Sequence, residues 1–86
     1  MPVVVLRQPL RDMAEGNARV EVTGTTVGEA LAALERIHPR TKGWVLDEHG
    51  DIRRHVNVFV DGERASAEHV LDGDAELNII QAISGG

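Results

Sequence analysis

The spacing of hydrophobic and polar positions along this chain changes several times, and each change marks a new element. Val3, Val4, Val5 and Leu6 form a short run rich in β-branched residues, the pattern of a strand covered on both faces. Residues 7–17, with Pro9 and Gly16, read as a connection. Ala18, Val20 and Val22 then alternate with Arg19 and Glu21, the period of two that belongs to a half-buried strand. At Thr26-Val27-Gly28-Glu29 the period lengthens, because a Thr hydroxyl can meet the first-turn backbone while a Glu three residues later reaches back. Val27, Ala30, Leu31, Leu34 and Ile37 recur at helical spacing. The helix stops at His38-Pro39, since proline disfavours helical geometry in the residue before it.

Residues 40–54 are polar and irregular, with Trp44, Val45 and Leu46 expected to dip into the core ahead of the turn Asp47-Glu48-His49-Gly50-Asp51. Alternation returns at residues 55–60, where Val56, Val58 and Val60 share one face and Asn57 and Phe59 the other. Asp61-Gly62 signals a hairpin, and residues 63–65 form the short return strand. Residues 67–71 can make a single helical turn, and Asp72-Gly73-Asp74 turns the chain once more. Leu77 and Ile79, alternating with Asn78 and Ile80, close the series as a last strand. One helix must then cover one face of a mixed sheet of four to five strands. The expected class is α+β with the β-grasp arrangement, residues 1–80 forming the domain and residues 81–86 an extended, flexible tail.

Composition narrows the chemistry. At 86 residues the chain can hold one core and no deep cleft, and with 42% hydrophobic and 27% charged residues it falls among ordinary globular domains. Cysteine is absent, which excludes disulfides, thiolate metal sites and a cysteine nucleophile. The start of the chain shows neither a basic leader nor a long apolar segment, so a cytoplasmic protein with no membrane contact is expected. A formal net charge of -5 has the wrong sign for nucleic acid and would steer a basic protein partner toward the molecule.

The remaining chemistry lies at the end, Gln81-Ala82-Ile83-Ser84-Gly85-Gly86. Glycine has no Cβ, so a Gly-Gly end can lie extended in a channel too narrow for side chains; small residues also collect at termini that simply fray. The element order decides between these readings together with His55-Val56-Asn57-Val58-Phe59-Val60-Asp61-Gly62-Glu63, Leu71-Asp72-Gly73-Asp74 and Gly85-Gly86. In all of these the chain resembles, over its whole length, the ubiquitin-like sulfur carriers of the MoaD/ThiS family. The resemblance implies that the chain is no enzyme. It implies that a ubiquitin-activating-type adenylyltransferase consumes ATP to adenylate the Gly86 carboxylate, and that a sulfur donor displaces AMP to leave a thiocarboxylate. Gly86 would carry the sulfur, with Gly85, Ser84 and Ile83 threading the partner and Ile83 filling a partner pocket. A sulfur-accepting biosynthetic enzyme is the second implied partner, and a processing metalloprotease, which trims some relatives, the third. Gln81-Ala82 stands where the molybdopterin-synthase small subunits carry paired prolines, and the run from Arg54 to Val60 is closer to the cysteine and thiocarboxylate-metabolite carriers. Two alternatives stay open beside that lineage: the molybdopterin-synthase subunit itself and a protein modifier joined through Gly86 to lysines. A plain β-grasp interaction domain, its tail never activated, is the blander reading.

The two-residue period turns Phe59, Asn78 and Ile80 away from the helix, making them the expected partner-binding face, with Phe59 as an exposed anchor. Trp44 reads as a packing residue. Four histidines and the Asp47/His49/Asp51 turn match no zinc or calcium spacing, so no metal or bound cofactor is expected. Ser84 has no base to activate it, and Gly24 and Gly28 lack the rest of a phosphate-binding fingerprint.

Overall fold

The computed structural model describes residues 1–81. Their elements run in the order β1 (Val3–Val5), α1 (Leu10–Met13), β2 (Arg19–Glu21), α2 (Val27–Ile37), a 3₁₀ turn (Pro39–Thr41), β3 (Val56–Val60), β4 (Glu63–Ala65) and β5 (Glu76–Gln81). The strands form one five-stranded sheet in the order β2-β1-β5-β3-β4. β1 and β5 pair in parallel, with Val4 beside Leu77, and every other pairing is antiparallel. α2 covers one face, giving the expected α+β architecture of the β-grasp.

Alternation works as the sequence predicts on the covered face. Val4, Val58, Leu77 and Ile79 from the sheet and Val27, Ala30, Leu31 and Leu34 from α2 are all buried in a single cluster. Among the described residues the outer face has no second layer. Val3 and Val5 are therefore only half-buried while Val4 is buried, so the opening strand is covered on one face and not on both.

α2 begins as its capping pattern requires, with one change of partner. Thr26 Oγ1 accepts from the Glu29 N–H at 3.2 Å, but Glu29 Oε1 reaches one residue further back and accepts from the Thr25 N–H and hydroxyl, both at 2.8 Å. These donors hold the Glu29 carboxyl below the usual carboxylate range. The Val27 and Gly28 N–H groups donate to the carbonyls of His69 and Ala67 at 3.0 and 2.9 Å. Residues 67–71 consequently make one turn, closed by the His69 N–H on the Ser66 carbonyl at 3.1 Å, but no helix: their backbone caps α2, with Thr26 and Val70 in an isolated bridge and the Leu71 N–H on the Thr25 carbonyl at 2.8 Å. Gly24 approaches the same helix end. It has φ +153°, and a Cβ there would lie 2.7 Å from the Ala30 nitrogen.

Two further expectations change along the chain. Ile37 is 51% exposed, because the apolar stripe continues from Leu34 to the position four residues on, which is the buried His38. Within residues 7–17 the chain forms the short helix α1, which buries Leu10 and, at its C-cap, Ala14. The hairpin is as expected, with Asp61 and Gly62 both at positive φ (48° and 90°), as a tight two-residue connection demands.

Candidate functional site

β5 positions the site. It is the middle strand of the sheet, and its last residue, Gln81, is still paired with Val56 of β3. The chain therefore leaves the sheet at its centre. Leu77 and Ile79 point beneath α2 at 0% and 1% exposure, while Asn78 and Ile80 lie on the outer face. Across the ladders Asn78 stands between Phe59 and Val5, and Ile80 stands opposite Asn57. Phe59 and Ile80 are thus diagonal neighbours, roughly 7 Å apart along the backbone geometry of an antiparallel pair.

The outer face is less uniform than its alternation suggests. Phe59 is half-buried rather than exposed, since its neighbours in register, Asn78 and Arg64, flank it on both sides. Asn78 is engaged within its own sheet: its amide donates to Glu76 Oε1 at 3.3 Å, and Glu76 Oε2 meets the Arg19 guanidinium at 2.9 Å. Hydrogen bonds from Arg19 and Asn78, and the charge on Arg19, hold the Glu76 carboxyl below its usual range. This polar network crosses β1 and closes that half of the face. The half that remains open is centred on Ile80.

Trp44 extends this open half. It is 41% exposed and not a core residue, because Val45 and Leu46 take the buried positions that follow it and Gly43, at φ +87°, turns the chain before them. Its indole, with Pro9, Ile80 and Gln81, lines a groove of about 500 Å³, to which Arg7 and His55 add polar groups. Sequence reasoning missed Trp44 as a surface residue. The available signal was a single Trp in a chain with 2% aromatic residues, placed beside a glycine in a polar stretch.

Other candidates are absorbed by structure. Asp47 Oδ1 accepts from the backbone N–H groups of His49 and Asp51 at 2.8 and 3.0 Å; these bonds, that from Asp51 foremost, lower its pKa and account for the acidic turn. Among the described residues no group of three or more His, Cys, Asp or Glu side chains is placed to hold a metal ion. The N-terminus of α2, with Gly24 and Gly28, is capped by protein carbonyls and so offers no anion site. Ile83, Ser84, Gly85 and Gly86 lie outside the described residues.

A mixed sheet with parallel first and last strands, one covering helix and a central strand that delivers the chain end defines a ubiquitin-like β-grasp protein. The ThiS family model matches residues 4–86. The chain belongs to the ThiS family. Small archaeal modifier protein 1 of Haloferax volcanii is 38% identical over 69 residues, 79% of this chain and 79% of that one. Its crystal structure matches with a TM-score of 0.81 at 33% identity, over 99% of this chain and 98% of that chain. A chain of the BexX/CysO complex from Amycolatopsis orientalis gives a TM-score of 0.90 at 28% identity, with 100% of each chain covered. The protein thus stands among small ubiquitin-like carriers and modifiers and not among catalysts. Among the described residues no helix is long and apolar enough to cross a membrane.

Proposed function

We propose that this chain is a sulfur carrier, a protein co-substrate whose reactive group is the carboxylate of Gly86. The observation that carries the reading is the ThiS-family match, which runs on past the end of the central strand at Gln81 and through Gly85-Gly86. A carboxylate repels nucleophiles, and its oxygen is a poor leaving group. Attack of a Gly86 carboxylate oxygen on the α-phosphorus of ATP expels pyrophosphate and gives an acyl-adenylate. Sulfide (HS⁻) from the donor then adds to the carbonyl, AMP departs, the thioacid loses its proton, and the thiocarboxylate that remains is itself a strong sulfur nucleophile. The carrier holds no ATP; its adenylyltransferase partner consumes it. Gly85 and Ser84 supply an end slender enough to thread the partner, and Ile83 supplies an apolar contact there. Phe59, Ile80 and Trp44 form the handle, with Asn78 framing it. A biosynthetic enzyme that holds a small-molecule acceptor receives the sulfur.

The test is intact-protein mass spectrometry after incubation with ATP, a cognate adenylyltransferase and a sulfur donor. Exchange of one oxygen for sulfur is expected, and unchanged mass refutes the reading. Deleting Gly85 and Gly86 should abolish the exchange and leave the unfolding transition in place.

The 38% identity to a modifier protein favours one second reading, transfer of the activated Gly86 acyl group to lysine amines of target proteins. Gly-Gly remnants on target lysines after proteolysis would establish it.

A further inference from the structure

A net charge of -5 calls for a basic partner when the molecule is taken as a whole, but the strand register divides the charge. β3 starts opposite Gln81, so Arg53, Arg54 and His55, just before it, lie at the end of the sheet where the chain departs. Arg7 follows β1, which runs parallel to β5, and lies at that same end. Asp61 and Glu63 of the hairpin, with Asp72, Asp74 and Glu76 ahead of and at the start of β5, occupy the opposite end. These five carboxylates, of the 14 in the chain, thus lie away from the exit.

Beside the exit, residues 51–54 and 64–68 enclose a groove of about 590 Å³. Val56, Val58 and Ala65 give it an apolar lining, and Arg53, Arg54 and Arg64 outnumber the Asp51 and Glu68 carboxylates there. Arg53 Nε is buried and has no hydrogen-bond acceptor among the described residues. Arg54 and Arg64 are exposed and take part in none of the ion pairs among the described residues. The groove runs along β4, the edge strand of the sheet, whose outer side offers main-chain donors and acceptors.

We propose that this groove receives an extended acidic segment of the partner protein, its backbone alongside β4 and its carboxylates on Arg53, Arg54 and Arg64. Charge complementarity selects the sign of the occupant. The edge strand and the apolar lining select a polypeptide over a small anion, which would use neither. The partner that takes hold of the tail therefore presents an acidic surface, the reverse of what net charge implies. The proposal rests on the carrier reading only for the identity of that partner. Its test needs no activation chemistry, so the two fail separately.

The probe is an octaglutamate peptide titrated into ¹⁵N-labelled full-length protein at low and high salt, followed by amide chemical shifts. Saturable shifts confined to residues 51–54 and 63–68, lost as salt screens the charges, are expected. Joint replacement of the exposed pair, Arg54→Glu with Arg64→Glu, should weaken binding about tenfold or more. Arg53→Gln, which keeps the side chain polar, should weaken it by a smaller factor. Circular dichroism establishes that each variant is folded. Shifts centred on Arg36 and Arg40, or an unchanged affinity in the double variant, overturn the proposal. So does inorganic tripolyphosphate if it binds the same residues as tightly as the peptide, since the groove would then be a small-anion site.

Discussion

Trp44→Ala removes an indole that the fold leaves 41% exposed beside the departing chain. A tryptophan side chain can bury up to about 250 Å², so the exposed part offers a partner roughly 100 Å² of apolar surface. At about 25 cal/mol per Å² its burial contributes about 2.5 kcal/mol, or a loss of roughly 70-fold in affinity on truncation. The covered part, roughly 150 Å², ties the indole to its own domain, and its loss lowers stability by up to about 3 kcal/mol. Binding must therefore be measured by calorimetry against the cognate adenylyltransferase on protein shown folded by circular dichroism. The wild type supplies a second readout. With one Trp and no Tyr in the chain, emission excited in the carrier comes from this groove, and docking that removes water from the indole should shift it to the blue when the partner carries no tryptophan at the interface or is labelled to remove its own signal. An affinity within twofold of wild type, with no emission shift, would show that the groove is not part of the handle.

Other expected outcomes concern the fold that presents the tail. Gly24→Ala places a Cβ 2.7 Å from the Ala30 backbone nitrogen at φ +153°, and should lower the urea-unfolding free energy by about 2 kcal/mol or more. Leu77→Ala, at a position with 0% exposure in the central strand, should cost about 2–5 kcal/mol in the same assay. Glu29, Asp47 and Glu76 all have folded-state pKa values below their ordinary ones. Their contribution is therefore present above the unfolded carboxylate range, roughly pH 4, and is lost as pH falls through the lower folded values. Chemical denaturation between neutral and acid pH should show that decline, and Glu29→Gln should flatten it.

What the sequence revealed was local in origin. The alternation of Val56, Val58 and Val60, the Thr26 cap and the Asp61-Gly62 turn each depend on neighbours within a few residues, and each appears in the structure at the expected place. The features that stayed hidden depend on distant partners. Residues 67–71 have a helical composition, but their carbonyls are claimed by the start of α2 some 40 positions earlier in the chain. Trp44 looked like a core residue because it adjoins Val45 and Leu46, which are buried. Phe59 lies on the predicted face, yet its exposure is set by Arg64 and Asn78 on adjacent strands. The gathering of Arg7, Arg53 and Arg54 at one end is a product of strand register, which composition cannot express.

The position of β5 has a mechanical meaning. A protein that pulls on the chain beyond Gln81 loads a strand bonded on both sides, parallel to β1 and antiparallel to β3. The pull runs along the strand, so the ladders meet it in shear, with many hydrogen bonds strained at once. An edge strand pulled sideways would instead open one bond at a time. On the carrier reading, a partner that draws on the residues beyond Gln81 therefore pulls against a domain that serves as a fixed anchor.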